Sequence, residues 1–157
     1  MKLATPSFQR AIADLHEAIQ RDPSDAVAFN NRGAARLMAG DYPGAASDLR
    51  EAIRLNPHFP NPYKHLAWLQ ATCPEAEYRD GSAAVAHATR ALELANGKRT
   101  EWFSVLAAAH AEAGNFEEAV KWRTKCLDET PPQARPPLQN ALSLYQARQP
   151  LRREKAG

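Results

Sequence analysis

The chain repeats itself at a single interval of 34 residues. Phe8 and Tyr42, Ala11 and Ala45, Leu15 and Leu49, Ala18 and Ala52, and Pro23 and Pro57 all stand at that spacing. A fixed period of this length marks a supersecondary unit that cannot bury its apolar face alone and must stack on its neighbours. No stretch alternates in Val, Ile or Thr, so strands are not expected. With 157 residues the chain fits one domain with a real core.

Within the repeat, glycine and a capping residue mark the turns. In Gly40-Asp41-Tyr42 the glycine can adopt the left-handed conformation that ends a helix, and Asp41 can accept from the free amides that begin the next. Ala113-Gly114-Asn115-Phe116 repeats the same chemistry further on. Phe29, Phe103 and Leu106 take large positions, while Gly33, Ala107, Ala119 and Cys126 take small ones. Two helices approach closely only where side chains are short, so Cys126 is expected to be a buried, inert thiol in the slot that Ala18 and Ala52 hold earlier.

The period and these residues resemble the tetratricopeptide repeat, a helix-turn-helix unit closed by a proline, over about residues 5 to 131. The resemblance implies an all-α, right-handed α-α superhelix of about seven repeat helices plus a C-terminal cap helix. Helices are expected near 6–21, 25–39, 42–55, 60–72, 80–95, 100–113, 116–129 and 136–147. The domain spans 1–149: a second half-repeat at 5–24, a repeat at 25–58, a variant repeat at 59–97, a repeat at 99–131 and the cap helix at 136–147. Leu138, Ala141, Leu142 and Tyr145 share one face of that cap. Residues 150–157 are expected to be a flexible basic tail, with Arg152, Arg153 and Lys155 opposed only by Glu154.

The middle repeat departs from the pattern. Ala45 and Ala84 are 39 residues apart, and the excess falls between Ala71 and Gly81. Pro74 is expected to stop one helix and Asp80 to cap the next. The pairing of Ala-Thr-Cys-Pro with Tyr-Arg-Asp-Gly looks like a variant repeat of bacterial tetratricopeptide proteins.

Composition narrows the function. The 20 basic and 18 acidic residues leave a net charge of +2, which gives no broad attraction to nucleic acid. There is no apolar stretch of signal-peptide or membrane-span length, and a cytoplasmic location is expected. Cys73 and Cys126 lack the spacing of a metal site or a disulfide framework. His16, His58, His65, His87 and His110 never pair at i and i+4, and His110 falls at a large position that predicts a core or boundary residue. Gly97-Lys98-Arg99-Thr100 resembles the end of a phosphate-binding loop but lacks its upstream glycine and its strand. No enzyme, cofactor or metal is therefore expected.

A binding scaffold remains, with a protein or peptide as partner. The resemblance places a concave groove along the first helices. It implies groove positions at Val27, Asn30, Ala34, Leu37 and Met38, then at Asn61, Lys64 and Trp68, and finally at Glu101, Ser104, Ala108 and Glu112. Trp68 is either a groove anchor or core beneath the insertion. The carboxylate clamp of chaperone-binding members is not reproduced, since its places hold Asn30, Ala34, His65, Glu101 and Val105. Two alternatives stand beside the groove. The chain starts at the second helix of a unit, so Phe8, Ile12, Leu15 and Ile19 are expected to lack cover and could form a homodimer contact. The segment could otherwise be a docking part of a larger enzyme.

Overall fold

The computed structural model describes residues 6–97 and 100–155. Expectations that touch residues 1–5, Lys98, Arg99 or residues 156–157 lie outside the described residues: the first residue of the half-repeat, the centre of the phosphate-loop fragment and the end of the tail. Among the described residues eight α-helices follow one another: α1 Pro6–Arg21, α2 Ala26–Ala39, α3 Tyr42–Leu55, α4 Pro60–Thr72, α5 Gly81–Leu94, α6 Thr100–Glu112, α7 Phe116–Asp128 and α8 Pro136–Gln146. No strand occurs among the described residues. Short 3-10 turns at Ala76–Tyr78 and Pro132–Ala134, not foreseen from the sequence, fill two of the connections.

Local chemistry sets the boundaries. Gly40 and Gly114 take positive φ values of 85° and 83°, in the left-handed region that ends α2 and α6. Asp25, Asp41, Asp80 and Asn115 then cap α2, α3, α5 and α7, each accepting from the amide three residues on. Small residues set the approach of paired helices. A Cβ on Gly33 would lie 2.9 Å from Leu49 Cγ, so α2 and α3 meet backbone to side chain. Ala107, Ala119 and Cys126 are all buried where α6 meets α7.

The helices pair as α2 with α3, α4 with α5 and α6 with α7, and the first members of the pairs, α2, α4 and α6, also touch in succession. Three apolar clusters run along this stack. Leu37, Tyr42, Leu49, Leu66 and Leu69 form the first. Ala67, Ala84, Ala88, Val105 and Leu106 form the second. Ala107, Ala119, Ala141 and Tyr145 form the third, where α8 covers the last repeat as the sequence implied.

Polar groups are buried as well. Arg32 of α2 donates to both carboxylate oxygens of Asp48 in α3 at 2.8 Å, and Arg36 Nη1 adds a third bond at 2.9 Å. His16 Nδ1 lies 3.1 Å from Arg32, which ties α1 into the same network. With Arg32 9% and Asp48 3% exposed, this pair persists because nearly every polar atom finds a partner.

Candidate functional site

The Cys73–Asp80 connection reaches beyond its own helix pair. Tyr78 sets its ring 5.9 Å from that of Tyr42. Arg79 donates to the Cys73 carbonyl at 2.8 Å and lies 3.3 Å from Glu112 at the end of α6. Asp80 donates its own amide to the Gln70 carbonyl at 2.9 Å while capping α5. Gly81 is required by contact with the next repeat: a Cβ there would lie 2.5 Å from the backbone nitrogen of Ala113. The Tyr-Arg-Asp-Gly segment thus joins two repeats.

The expected groove positions divide into several groups. Asn30 is buried at 2% exposure and its Oδ1 accepts from His65 Nδ1 at 3.0 Å, closing a polar contact between α2 and α4. Its amide therefore faces the neighbouring helix instead of an open groove. Burial, reinforced by nearby Lys64, lowers the His65 pKa to about 4, so the ring is neutral. Ala108 is buried in the second cluster, and Ser104 faces α7, where it accepts from Arg123 at 2.7 Å and touches Cys126 Sγ at 3.2 Å. Leu37 is buried in the first cluster.

Ala34 and Asn61 are half-buried. Lys64 pairs with Glu101 at 3.7 Å and sits 5.3 Å over the Trp102 ring. Trp68 is half-buried and packs against both the first and second clusters, between the two alternatives drawn from the sequence. Val27 and Met38, both on α2, remain more than half exposed at 54% and 52%.

The last turns of α2, α4 and α6 carry something the sequence did not suggest. The segment after α8 folds back over them instead of leaving as a free tail. Arg148 adopts a positive φ of 58°, and the Gln149 amide donates to the Leu144 carbonyl, so the chain reverses at the end of α8. Leu151 packs on the third cluster. Arg152 Nη1 meets Glu112 Oε2 at 2.7 Å. Arg153 donates its amide to the Thr72 carbonyl at 2.8 Å and its guanidinium to the Leu37 carbonyl at 3.1 Å, with Met38 Sδ at 3.6 Å. Met38 and Glu112 are thus brought to one strip by the tail.

On α1, Phe8, Ile12 and Leu15 are half-buried and Ile19 is buried. A hollow of about 430 Å³ along this helix is lined by Ser7, Arg10, Ala11 and Asp14. A second hollow of about 430 Å³ between α5, α6 and α7 is lined by Leu92, Leu106, His110 and Trp122 among others. Cys73 and Cys126 are both buried, and burial raises the Cys73 pKa. Among the described residues, no group of three or more His, Cys, Asp or Glu side chains is placed to hold a metal ion. No helix among them is long and apolar enough to cross a membrane.

Helix pairs stacked in register around a continuous core define an α-helical repeat fold. The comparisons agree: residues 4–58 match the profile of the family described as Tetratricopeptide repeat. The fold is similar to a crystal structure of MamA protein, with a TM-score of 0.63 and 22% identity over 77% of this chain. The chain spans 63% of that protein's length. No curated protein matches it.

Proposed function

We propose that this chain is a non-catalytic scaffold that holds a protein or peptide along the row formed by α2, α4 and α6. The observation that carries the reading is the exposure of Val27 and Met38. They are the large apolar side chains left open among the described residues, and both stand on the first helix of that row. Exposed apolar residues on one helix of a repeat array favour a docking role, because the other large apolar side chains are at least partly covered by stacking. Peptides selected from a random displayed library on this chain test the reading. Val27→Asp and Met38→Asp are expected to weaken the selected binders at least tenfold, while Thr89→Asp on α5 leaves them unchanged. Binders indifferent to both α2 changes would sink it.

A second reading has its own support, the half-buried Phe8, Ile12 and Leu15 beside the α1 hollow. Self-association through α1 predicts a solution mass that rises with concentration and falls back to the monomer on Ile12→Asp. A monomer at every concentration removes this reading.

A further inference from the structure

The segment Leu151-Arg152-Arg153 lies across the last turns of three successive first helices. From it we infer that this end of the row is a receptor for an extended peptide bearing an apolar residue followed by two arginines, and that the chain's own tail fills it in cis. The inference rests on the scaffold reading above and names the chemistry of its partner.

Three features of the strip fit such a ligand. Helix C-termini expose carbonyls with no acceptor role left inside the helix, and their dipoles favour cations. Here the Thr72 carbonyl accepts from the Arg153 backbone amide, and the Leu37 carbonyl, which also takes the Gly40 amide at 3.3 Å, accepts from the Arg153 guanidinium. Glu112 places a carboxylate at the end of α6, where a negative charge opposes the dipole unless cations surround it. Arg79 and Arg152 supply that charge from the two sides, at 3.3 and 2.7 Å. Only Arg152 belongs to the tail, so the vacated strip would keep a carboxylate that is half neutralised and still cation-seeking. Leu151 supplies the apolar anchor against the third cluster. The hydrogen bond to the Thr72 carbonyl uses a backbone amide, which the interior of a helix would not have free, and this favours an extended peptide over a helical one.

A planar guanidinium reaches two acceptors at once, so lysine at the same positions is a poorer fit. A tethered tail also competes at an effective concentration that a free peptide must exceed, which makes the tail a gate as well as a ligand. Arg152 and Arg153 are the residues that open it.

The probe is a fluorescein-labelled peptide of residues 147–155, its binding read by anisotropy on the full chain. The wild-type protein is expected to bind it weakly. A chain carrying Arg152→Ala and Arg153→Ala, with its helicity checked by circular dichroism, is expected to bind at least tenfold tighter. Glu112→Gln in that background should return binding to the wild-type level, and a probe with lysines at positions 152 and 153 should bind at least threefold more weakly. Equal binding to both chains, or a gain indifferent to Glu112, overturns the inference.

Amide exchange of the unmodified chain, read at Arg153 by NMR, decides the seating even where a variant fails to fold. Exchange as fast as in the free peptide overturns the inference and leaves the scaffold reading standing. A protected Arg153 with no probe binding to the released chain makes the tail a structural strap and overturns the receptor. Library binders that ignore α2 as well bring down the scaffold reading itself.

Discussion

The α2–α3 and α4–α5 pairs do the same job by different means. The first reverses the chain in two residues, Gly40 and Asp41, and locks its helices with the buried Arg32–Asp48 pair. The second uses the eight residues Cys73–Asp80 and joins its helices through a neutral contact, Gln70 Oε1 to His87 Nδ1 at 2.7 Å. A short turn leaves nothing over for neighbours. The long one reaches beyond its own pair, sending Arg79 to Glu112 and bringing Gly81 onto the Ala113 backbone. The extra length converts a turn into a joint between repeats, which matters because a stack of this kind is only as cooperative as its nearest-neighbour interfaces.

The largest expected effect breaks the ionic lock. Asp48→Ala leaves Arg32 and Arg36 without their buried acceptor and is expected to cost about 3–5 kcal/mol. Gln70→Ala at the neutral contact of the other pair is expected to cost about 1–2 kcal/mol. Urea unfolding of the two variants side by side measures the contrast, and equal losses would mean that the two pairs are locked alike.

Next comes the joint. Gly81→Ala puts a methyl 2.5 Å from the Ala113 nitrogen, and neither backbone can yield without moving a repeat. A loss of about 3 kcal/mol is expected, together with a broadened or split transition as α6–α8 uncouple from the helices before them. Gly114→Ala, where nothing lies within 4 Å of the added carbon, meets only the backbone penalty of its positive φ and should unfold in one step. A single sharp transition for Gly81→Ala would show that the joint does not set cooperativity.

These contrasts mark where sequence reading stopped. Gly40, Asp41, Pro74 and Asp80 announce turns and caps through their own conformational preferences, so the helix boundaries were legible within a residue or two. The contact of Gly81 with Ala113 depends on where another repeat lands, and no local preference reports that. Likewise the groove positions expected from the sequence take in both Asn30 and Val27, yet one is buried and one is open. A small rotation of α2 against α4 separates such neighbouring faces, and the 34-residue period does not encode it. The tail was missed because its reversal is at Arg148, without the glycine that usually marks one, and because a short charged segment has no periodicity to read.

His65 reports on the contact between the two pairs, since it reaches from α4 back to Asn30 in α2. Its pKa is lowered from 6.5 to about 4. The unfolded chain therefore takes up a proton near pH 6.5 that the folded chain refuses. The contribution is fully present above that pH and declines as pH falls towards 4, by up to about 3 kcal/mol. Burial lowers His87 and His110 in the same direction. Thermal unfolding at pH 7.5 and 4.5 is expected to show His65→Gln losing less stability on acidification than wild type. An identical loss in both would place the acid sensitivity elsewhere.

The smallest effects concern two of the aspartate caps, Asp41 and Asp80, which differ in a way that a thermodynamic cycle can expose. Asp41→Ala and Asp80→Ala are each expected to cost about 1 kcal/mol, since each removes one bond to the third helical amide. That third residue is Gly44 in α3 and Ala83 in α5. Asp80, at φ −155° and ψ 98°, caps a residue that already has a Cβ. Asp41, at φ −84° and ψ 77°, holds its carboxylate where a Cβ on Gly44 would lie. Gly44→Ala should therefore displace the cap, and the loss of about 1 kcal/mol roughly cancels the gain in helix preference. In the Asp41→Ala background there is no cap left to displace, and the same substitution should stabilise by up to about 1 kcal/mol. An equal gain from Gly44→Ala in both backgrounds would mean that the Asp41 carboxylate can move aside at no cost, and that the two turns cap their helices in the same way.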